Sequence, residues 1–272
     1  MSQFKPAGIV TVTTDFGHKG PFAAVMKGVM LQRFPAITVI DLAHDIPAHW
    51  PGEAGFWISR SYSYFPAGTV HIAIVDPGVG TEREIIVVEH DGHVFIAPDN
   101  GLLAPVINLN SRPVIFCVDI GKLAGIGIIE PSSTFHGRDI FAPIAAEIAA
   151  GQIVATDIGR PTGQWTPGWI SDPETLDGVV SGLVVTIDTF GNLITNIDAT
   201  LIASMQTPAV TVAGHTLDLI DTYGRAEPGE FLALINSFGV LEIARAEGSA
   251  TEGLGTGRGA PVTVAEGLPS QV

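Results

Sequence analysis

The stretch TVHIAIVDPGVGTEREIIVVEHDGHVFIAP, residues 69–98, decides the fold class of this chain. It contains three short runs rich in β-branched residues, and such runs are typical of buried β-strands. The loop VDPGVGTER (75–83) follows the first run directly and carries a carboxylate, Asp76, and a guanidinium, Arg83, on either side of two glycines. We therefore expect a charged site at the edge of a rigid sheet.

Similar strand patterns occur before and after this stretch, and helical patterns alternate with them. Six strands are predicted in the first part of the chain: GIVTVTT (8–14), ITVIDL (37–42), TVHIAIV (69–75), EIIVVEH (84–90), HVFIAP (93–98) and PVIFCVD (113–119). Helices are predicted over residues 21–34, 52–65 and 139–150, from apolar residues at helical spacing and from the lengths of the segments. This alternation favours an α/β domain over residues 1–157, with a mostly parallel sheet covered by helices.

Residues 158–177 are rich in Pro, Gly and Trp and show no clear period, so we predict a linker there. Residues 178–272 contain short alternating runs separated by Gly, Asn and Pro. Seven strands are predicted: GLVVTID (182–188), NLITNI (192–197), AVTVAG (209–214), HTLDLI (215–220), FLALIN (231–236), VLEIA (240–244) and PVTVAE (261–266). This pattern favours a second, smaller all-β domain, an antiparallel barrel or sandwich.

The composition excludes several classes of protein. With 272 residues, 46% of them hydrophobic and 15% charged, the chain can bury a sizeable core, and two domains are expected. A net charge of -15 argues against a nucleic-acid partner, because such binding needs clustered Lys and Arg. No apolar run reaches the roughly 18 residues of a membrane span, and no leader pattern is present, so we expect a cytoplasmic protein.

Polar residues with useful chemistry follow the predicted strands. Asp15 comes directly after the first strand in TTDFG, where a carboxylate can accept two hydrogen bonds from a ribose diol. His136 in FHGRD (135–139) completes a polar triad with Asp76 and Arg83. Each of the four also has an ordinary structural explanation: a turn aspartate, a surface ion pair or a buried histidine with a hydrogen bond.

Taken together and in this order, the motifs resemble one known family. They are TTDFG, HDIP, VDPGVGTER, PDNGLL, FHGRD and NSFGVLEIA. The chain resembles the S-adenosyl-L-methionine hydrolases (adenosine-forming), also called SAM hydroxide adenosyltransferases, over about residues 9–264. Relatives of that family are the fluorinating and chlorinating adenosyl enzymes. The resemblance implies a Rossmann-like N-terminal domain, a β-barrel C-terminal domain and a homotrimer with active sites between subunits.

The activity implied by the resemblance is hydrolysis of S-adenosyl-L-methionine to adenosine and L-methionine, by in-line attack of water or hydroxide on the ribose 5′ carbon. Asp76, Arg83 and His136 match the hydrolytic triad, which the halogenating relatives do not keep. Arg83 can stabilise a developing hydroxide, His136 can accept a proton near neutral pH, and Asp76 can orient its partners. A sulfonium leaves as a neutral thioether, so neither an acid, a metal nor a cofactor is expected.

Further substrate-binding residues are implied by the same resemblance. Asp15 would bind the ribose hydroxyls, and the C-terminal candidates are Asp188 for the methionine ammonium, Asn192 for the adenine edge, Tyr223 near a position that stacks on adenine and Ser237 for the methionine carboxylate. Phe190, in the same segment as Asp188 and Asn192, is a further substrate-binding candidate. Either His49 or Trp50 would cover the nucleoside, and the sequence leaves open which one does. Gly20 stands where the family commonly has an acidic residue, which puts one contact to the methionine in doubt.

Three other functions stay open at this point. An adenosyl halogenase would share the ligand pocket, and a binding module would hold adenosine or S-adenosyl-L-methionine without turnover. The third is a metal-dependent hydrolase, for which His and carboxylate side chains are suitable ligands. Its candidate ligands are His44, Asp45, His49, Asp76, His136 and Asp139.

Overall fold

The computed structural model describes residues 4–109 and 113–267, and it divides the chain into two units, Met1–Trp169 and Ile170–Val272. The first unit is built on a seven-stranded sheet. Its strands are β1 (Ile9–Thr14), β2 (Thr38–Ala43), β3 (Val70–Ile74), β4 (Ile85–His90), β5 (His93–Pro98), β6 (Val114–Val118) and β7 (Gly159–Pro161). Six of the seven confirm strands predicted from the sequence.

The order of the strands across this sheet is β2-β1-β3-β5-β4-β6-β7. β1 is parallel to β2 and β3, and β3 is parallel to β5, but the remaining three pairs are antiparallel. The prediction of a mostly parallel sheet is therefore corrected to a mixed sheet. The reason lies in the two residues between β4 and β5, Asp91 and Gly92, which both have positive φ (47° and 78°). An Asp-Gly pair of this kind forms the tight turn that joins antiparallel strands.

Helices cover both faces of the first sheet. They are α1 (Phe22–Arg33), α2 (Pro51–Ser61), α3 (Ala104–Ile107), α4 (Ala142–Ala149) and α5 (Ala155–Ile158). The three helices predicted from the sequence correspond to α1, α2 and α4. Met26 and Met30 of α1 pack with α4 against one face, and Ile58 of α2 packs with α3 against the other, so that successive residues of the central strands are buried on opposite faces.

The second unit is an antiparallel sheet that curls into a nearly closed barrel, as predicted. Its strands are β8 (Glu174–Leu176), β9 (Val179–Ile187), β10 (Leu193–Asp198), β11 (Pro208–Val212), β12 (His215–Asp218), β13 (Phe231–Ile235), β14 (Val240–Arg245) and β15 (Pro261–Glu266). They follow the order β12-β11-β15-β9-β10-β14-β13, with β8 paired to β9. A bridge between Leu219 and Ala233 brings the β12 and β13 ends together. Two short helices complete the unit, α6 (Ala199–Ile202) and α7 (Ala250–Leu254).

The segment predicted as a linker, residues 158–177, holds two short strands that the sequence did not reveal. β7 belongs to the first sheet and β8 to the second, and each is only three residues long. Strands of that length contain too few residues to show an alternating pattern. Of the helices in the described parts of the chain, none is both long enough and apolar enough to cross a membrane.

A buried polar cluster lies within the first sheet. His71 on β3 and His93 on β5 are 1% and 5% exposed, and Nε2 of His71 lies 3.1 Å from Nδ1 of His93. Nδ1 of His71 lies 2.8 Å from the Thr11 hydroxyl, and its ring stacks on Phe95. Burial, and secondarily the neighbouring His93, lower the pKa of His71 from 6.5 to about 3.

This cluster predicts a loss of stability in acid. Because the pKa of His71 is depressed in the folded state, the unfolded chain binds the additional proton, and stability present above pH 6.5 is lost as the pH falls towards 3. Urea denaturation should show the free energy of unfolding falling by up to about 1.4 kcal/mol per pH unit from this one group. His71→Gln should flatten the slope between pH 6.5 and 5, whereas the exposed His215→Gln should not. Equal slopes for the wild type and His71→Gln would contradict the assignment.

Candidate active site

The carboxyl ends of two adjacent parallel strands carry the first two site residues. Asp15 follows β1 and Asp76 follows β3 after one intervening residue, and the ends of these strands are in register, with Thr14 beside Ile74. Loops at the carboxyl ends of parallel strands converge on a common crevice. The fold thus places the two carboxylates at the same edge of the sheet, as their positions in the sequence predicted.

Asp76, Arg83 and His136 form one continuous hydrogen-bonded group. Nε of Arg83 donates to both carboxylate oxygens of Asp76, at 3.1 and 2.9 Å, and Nη2 donates to Oδ2 at 2.5 Å. The same Nη2 lies 2.8 Å from Nδ1 of His136. The side chains of Asp76 and Arg83 are only 4% and 11% exposed, so solvent screens this ion pair weakly. The triad anticipated from three separate positions in the sequence is therefore assembled in space.

The contact between Arg83 and His136 fixes the state of the imidazole. A guanidinium is always protonated and can only donate, so Nδ1 of His136 must accept, and the proton of the neutral ring resides on Nε2. Burial, followed by the positive charge of Arg83, lowers the pKa of His136, against opposing contributions from Asp76 and Asp139. His136 is therefore neutral at neutral pH, with an N–H to donate from Nε2.

Close packing of backbone brings the two motifs of the triad together. Gly80, in the loop after β3, has φ +78°, and a Cβ at this position would lie 2.1 Å from the carbonyl oxygen of Ser133. Only glycine fits that conformation and that space. In the segment that carries His136, the carboxylate of Asp139 accepts from the backbone N–H of Ser132 at 2.9 Å. A π-helical turn, Gly137–Phe141, follows His136 directly. Single π-helical turns of this kind occur frequently at functional sites.

A cavity of about 280 Å³ opens beside the triad. Four of the residues predicted for the site line it, together with three phenylalanines: Asp15, His49, Asp76, His136, Phe16, Phe22 and Phe135. The phenylalanine rings contact one another, with centroids 5.5 to 6.0 Å apart. Phe16 and Phe135 lie inside the motifs TTDFG and FHGRD, yet the sequence analysis assigned them no role, because apolar residues next to strands are expected in the core. The result is a pocket with an aromatic wall and a charged end.

His49, and not Trp50, faces this cavity. The backbone N–H of His49 donates to Oδ2 of Asp15 at 3.2 Å, and His49 has the left-handed φ of 64°, which is uncommon for a residue with a side chain. Trp50 packs edge-on against Trp169, and its Nε1 is buried with no hydrogen-bond partner within residues 4–109 and 113–267. Of the two residues, His49 is thus the one that lines the cavity.

The ring of Phe22 leaves little space for a side chain at position 20. A Cβ at Gly20 would lie 2.9 Å from two ring carbons of Phe22. The ring of Phe22 also lines the cavity, so it occupies the space that a larger side chain at position 20 would need.

In the second unit, Asp188 and Asn192 organise the turn between β9 and β10. Oδ1 of Asp188 accepts the backbone N–H groups of Phe190 and Asn192, both at 2.9 Å, and Oδ2 accepts from Nδ2 of Asn192 at 2.9 Å. Phe190, at the tip of the turn, is 76% exposed.

Tyr223 and the Ser237 turn are joined by a residue that the sequence analysis did not single out. Glu242 on β14 is 3% exposed; it accepts from the hydroxyl of Tyr223 at 2.6 Å and from Nδ2 of Asn236 at 3.1 Å. Oδ1 of Asn236 in turn accepts the N–H of Phe238 at 2.9 Å, so the turn that carries the exposed Ser237 is fixed to the same carboxylate. The available signal was an acidic residue within the apolar run VLEIA. Burial, then Glu242, raises the pKa of Tyr223, which keeps its hydroxyl protonated.

Three of the residues proposed as metal ligands, His49, Asp76 and His136, line the cavity, but they are not arranged as a metal site. Within residues 4–109 and 113–267, no group of three or more His, Cys, Asp or Glu side chains is arranged to hold a metal ion. Asp139 accepts hydrogen bonds from Arg138 and from Ser132, which lower its pKa to about 2. Asp76 is paired with Arg83. Two of the six candidate ligands, Asp76 and Asp139, are thus engaged in ion pairs with arginines.

Comparison with known proteins identifies the family of this chain. The sequence model of the SAM hydroxide adenosyltransferase N-terminal domain matches residues 10–159, and that of the C-terminal domain matches residues 182–263. The (R)-S-adenosyl-L-methionine hydrolase of Thermus thermophilus is 35% identical over 92% of this chain and 96% of its own length. A fluorinase of Actinoplanes sp. is more distant, at 27% identity over 87% of this chain and 90% of its own.

A solved structure shows the same fold. The crystal structure of a conserved protein from Thermotoga maritima superposes with a TM-score of 0.84 at 30% sequence identity, and the match covers 95% of this chain and 100% of that one. Both domains of the family are present here in their order, and the hydrolase of Thermus thermophilus matches over nearly its whole length. This chain belongs to the SAM hydroxide adenosyltransferase family.

Proposed function

We propose that this protein hydrolyses S-adenosyl-L-methionine to adenosine and L-methionine. The observation that carries the proposal is the buried Asp76–Arg83–His136 group at one end of a cavity that also contains Asp15. Full-length relatives named (R)-S-adenosyl-L-methionine hydrolase support it, and we propose the same (R) sulfonium epimer as the substrate.

The reaction needs one oxygen nucleophile placed in line with the C5′–S bond. As the O–C5′ bond forms, the C5′–S bond breaks, and methionine leaves as a neutral thioether that requires no proton. The attacking water loses one proton in the same process. Catalysis therefore consists of orienting the water and stabilising the charge that develops on it, and a fixed cation in a site shielded from water does this best.

The hydrogen bonds of the triad support a particular division of roles. Because Nδ1 of His136 accepts from Arg83, the imidazole has no free lone pair for a proton and offers an N–H to the water oxygen instead. Oδ1 of Asp76 receives a single, longer bond from Arg83 and can accept a hydrogen bond from the water. A protonated alcohol is a strong acid, so a carboxylate paired with arginine is basic enough to take up its proton. His136 would thus act as a donor, and Asp76 as the proton acceptor.

The remaining expectations belong to the same proposal. Asp15 would bind the ribose diol with His49 beside it, and the turn residues of the second unit would contact the adenine and the methionine: Asp188, Phe190, Asn192, Tyr223 and Ser237.

We further propose a division of the chain into a Rossmann-like N-terminal domain over residues 1–157, a linker over 158–177 and a C-terminal domain over 178–272. The protein would form a homotrimer with sites between subunits, need no cofactor and be located in the cytoplasm. Light scattering on the purified protein tests the trimer.

Incubating the purified protein with S-adenosyl-L-methionine in oxygen-18 water, with a chelator present, tests the activity. We expect adenosine and methionine in equal amounts, with the label on the 5′-oxygen of adenosine, because water attacks the ribose carbon directly. Unlabelled adenosine would contradict this mechanism. Turnover that stops in the chelator would indicate a metal enzyme, and tight adenosine binding without turnover would indicate a binding module. Halogenated adenosine formed in added chloride or fluoride would indicate a halogenase.

A further inference from the structure

A series of hydrogen bonds runs from the surface to Thr14, the residue before Asp15, and has no part in the reaction described above. His44 is 2% exposed, and its Nε2 lies 2.8 Å from Oδ1 of Asp41 on β2. Its Nδ1 lies 2.8 Å from the hydroxyl of Thr14, the fully buried residue that precedes Asp15. The second oxygen of Asp41 accepts from Lys27 at 2.6 Å.

The hydrogen bonds on the two sides of His44 connect Asp41 to the loop that carries Asp15. A carboxylate at neutral pH only accepts, so Nε2 of His44 carries a proton that points at Asp41. Nδ1 of His44 shares a hydrogen bond with the hydroxyl of Thr14. The Thr14 oxygen also accepts the backbone N–H of Phe16, at 3.2 Å.

His44 also holds the same loop through its backbone. Its carbonyl oxygen accepts the N–H of Gly17 at 2.8 Å. The side chain of His44 thus fixes the residue before Asp15, and its backbone fixes the loop two residues after it. The Asp15 carboxylate itself accepts from the N–H of His49, in the segment that begins at His44. His44 therefore connects the loop that carries Asp15 to the segment that carries His49.

We propose that His44 is a positioning residue that fixes the Asp15 carboxylate for two hydrogen bonds to the ribose diol. This inference rests on the proposed function, in which Asp15 binds the ribose. Thr14 transmits the effect, because its hydroxyl is the link between the histidine ring and the loop. Asp41, itself paired with Lys27, orients the ring of His44.

Binding of adenosine and of 2′,3′-dideoxyadenosine, measured by calorimetry, tests this role without requiring turnover. The wild type should prefer adenosine, and Asp15→Ala should lose that preference. Thr14→Val keeps the shape of the side chain but removes the hydroxyl, so the preference should fall roughly tenfold, the effect of losing well-placed hydrogen bonds. Thr14→Ser restores the hydroxyl and should recover most of it. His44→Gln should behave like Thr14→Val.

The control is His93→Gln, which removes another buried histidine of the same sheet and should weaken the fold without changing the ratio of the two affinities. If Thr14→Val and His44→Gln keep the wild-type ratio while Asp15→Ala abolishes it, the positioning role is wrong and the ribose role of Asp15 stands. If the wild type does not distinguish the two ligands, both roles fail. Should Thr14→Val not fold, the comparison of His44→Gln with His93→Gln decides the question.

Discussion

Replacing Arg83 by lysine is expected to lower kcat for S-adenosyl-L-methionine hydrolysis by roughly 10² to 10³-fold, the range found when one fixed donor is removed from a charge-stabilising site. Lysine keeps the positive charge but not the planar fork. In the wild type that fork bonds both oxygens of Asp76 and Nδ1 of His136 at once, and an ammonium cannot reproduce this geometry. Steady-state kinetics with adenosine detection gives the measurement, and adenosine affinity should change little.

Arg33→Lys is the matched control. Arg33 also forms a partly buried ion pair, with Glu147 at 2.8 Å, but it lies outside the cavity. Its replacement should leave kcat unchanged. Arg83→Met extends the series, because it leaves the Asp76 carboxylate buried without a cation, which destabilises a fold by about 3 to 5 kcal/mol. Wild-type kcat in Arg83→Lys would show that the charge alone suffices and that the fork has no role.

Two substitutions of His136 are expected to show whether this residue acts as a hydrogen-bond donor or as a general base. His136→Asn keeps an acceptor near the position of Nδ1 but has no atom at the position of Nε2, and kcat should fall by roughly 10² to 10⁴-fold. His136→Gln reaches that position with an amide N–H that does not titrate. If His136 donates to the water, the glutamine variant should keep far more activity than the asparagine variant. Equal and complete loss in both would indicate that the imidazole takes the proton.

The pH dependence provides a second readout for the same residue. Only neutral His136 can accept from Arg83, and the pKa of His136 is lowered by burial and by that arginine. Neutral His136, the active form, is therefore the major form at pH 6.5 and above, and activity should fall to half only below pH 6.5. In His136→Gln the part of this decline that belongs to the imidazole should disappear. A wild-type rate that already falls between pH 8 and 7 would contradict a lowered pKa.

The sequence predicted the strands well because their signal is local. Alternating β-branched runs such as GIVTVTT and VLEIA show which residues can lie on a pleated, buried surface, whatever they pair with. Whether two strands pair in parallel or antiparallel is not shown by this local pattern. The direction of pairing was predicted wrongly for half of the first sheet, although the Asp91–Gly92 turn carried the information in two residues.

For the site, the sequence supplied the residues and the structure supplied their relations. Asp76 and Arg83 lie seven positions apart, but the bond from Arg83 to His136 spans 53 positions. No local pattern encodes which nitrogen of a histidine will accept from a distant guanidinium. The same applies to Glu242, whose partners are decided by which turns of the barrel meet at β14.

By itself, then, the sequence determined most of the strands, the three longest helices, the charged motifs and the family they resemble, because each depends on residue type and short spacing. Only the tertiary structure decided the mixed direction of the first sheet, the position of His49 at the cavity, the neutral state of His136 and the hydrogen bonds behind Asp15. These depend on contacts between residues far apart in the chain, which exist only once burial has excluded water and most buried polar groups have found a partner.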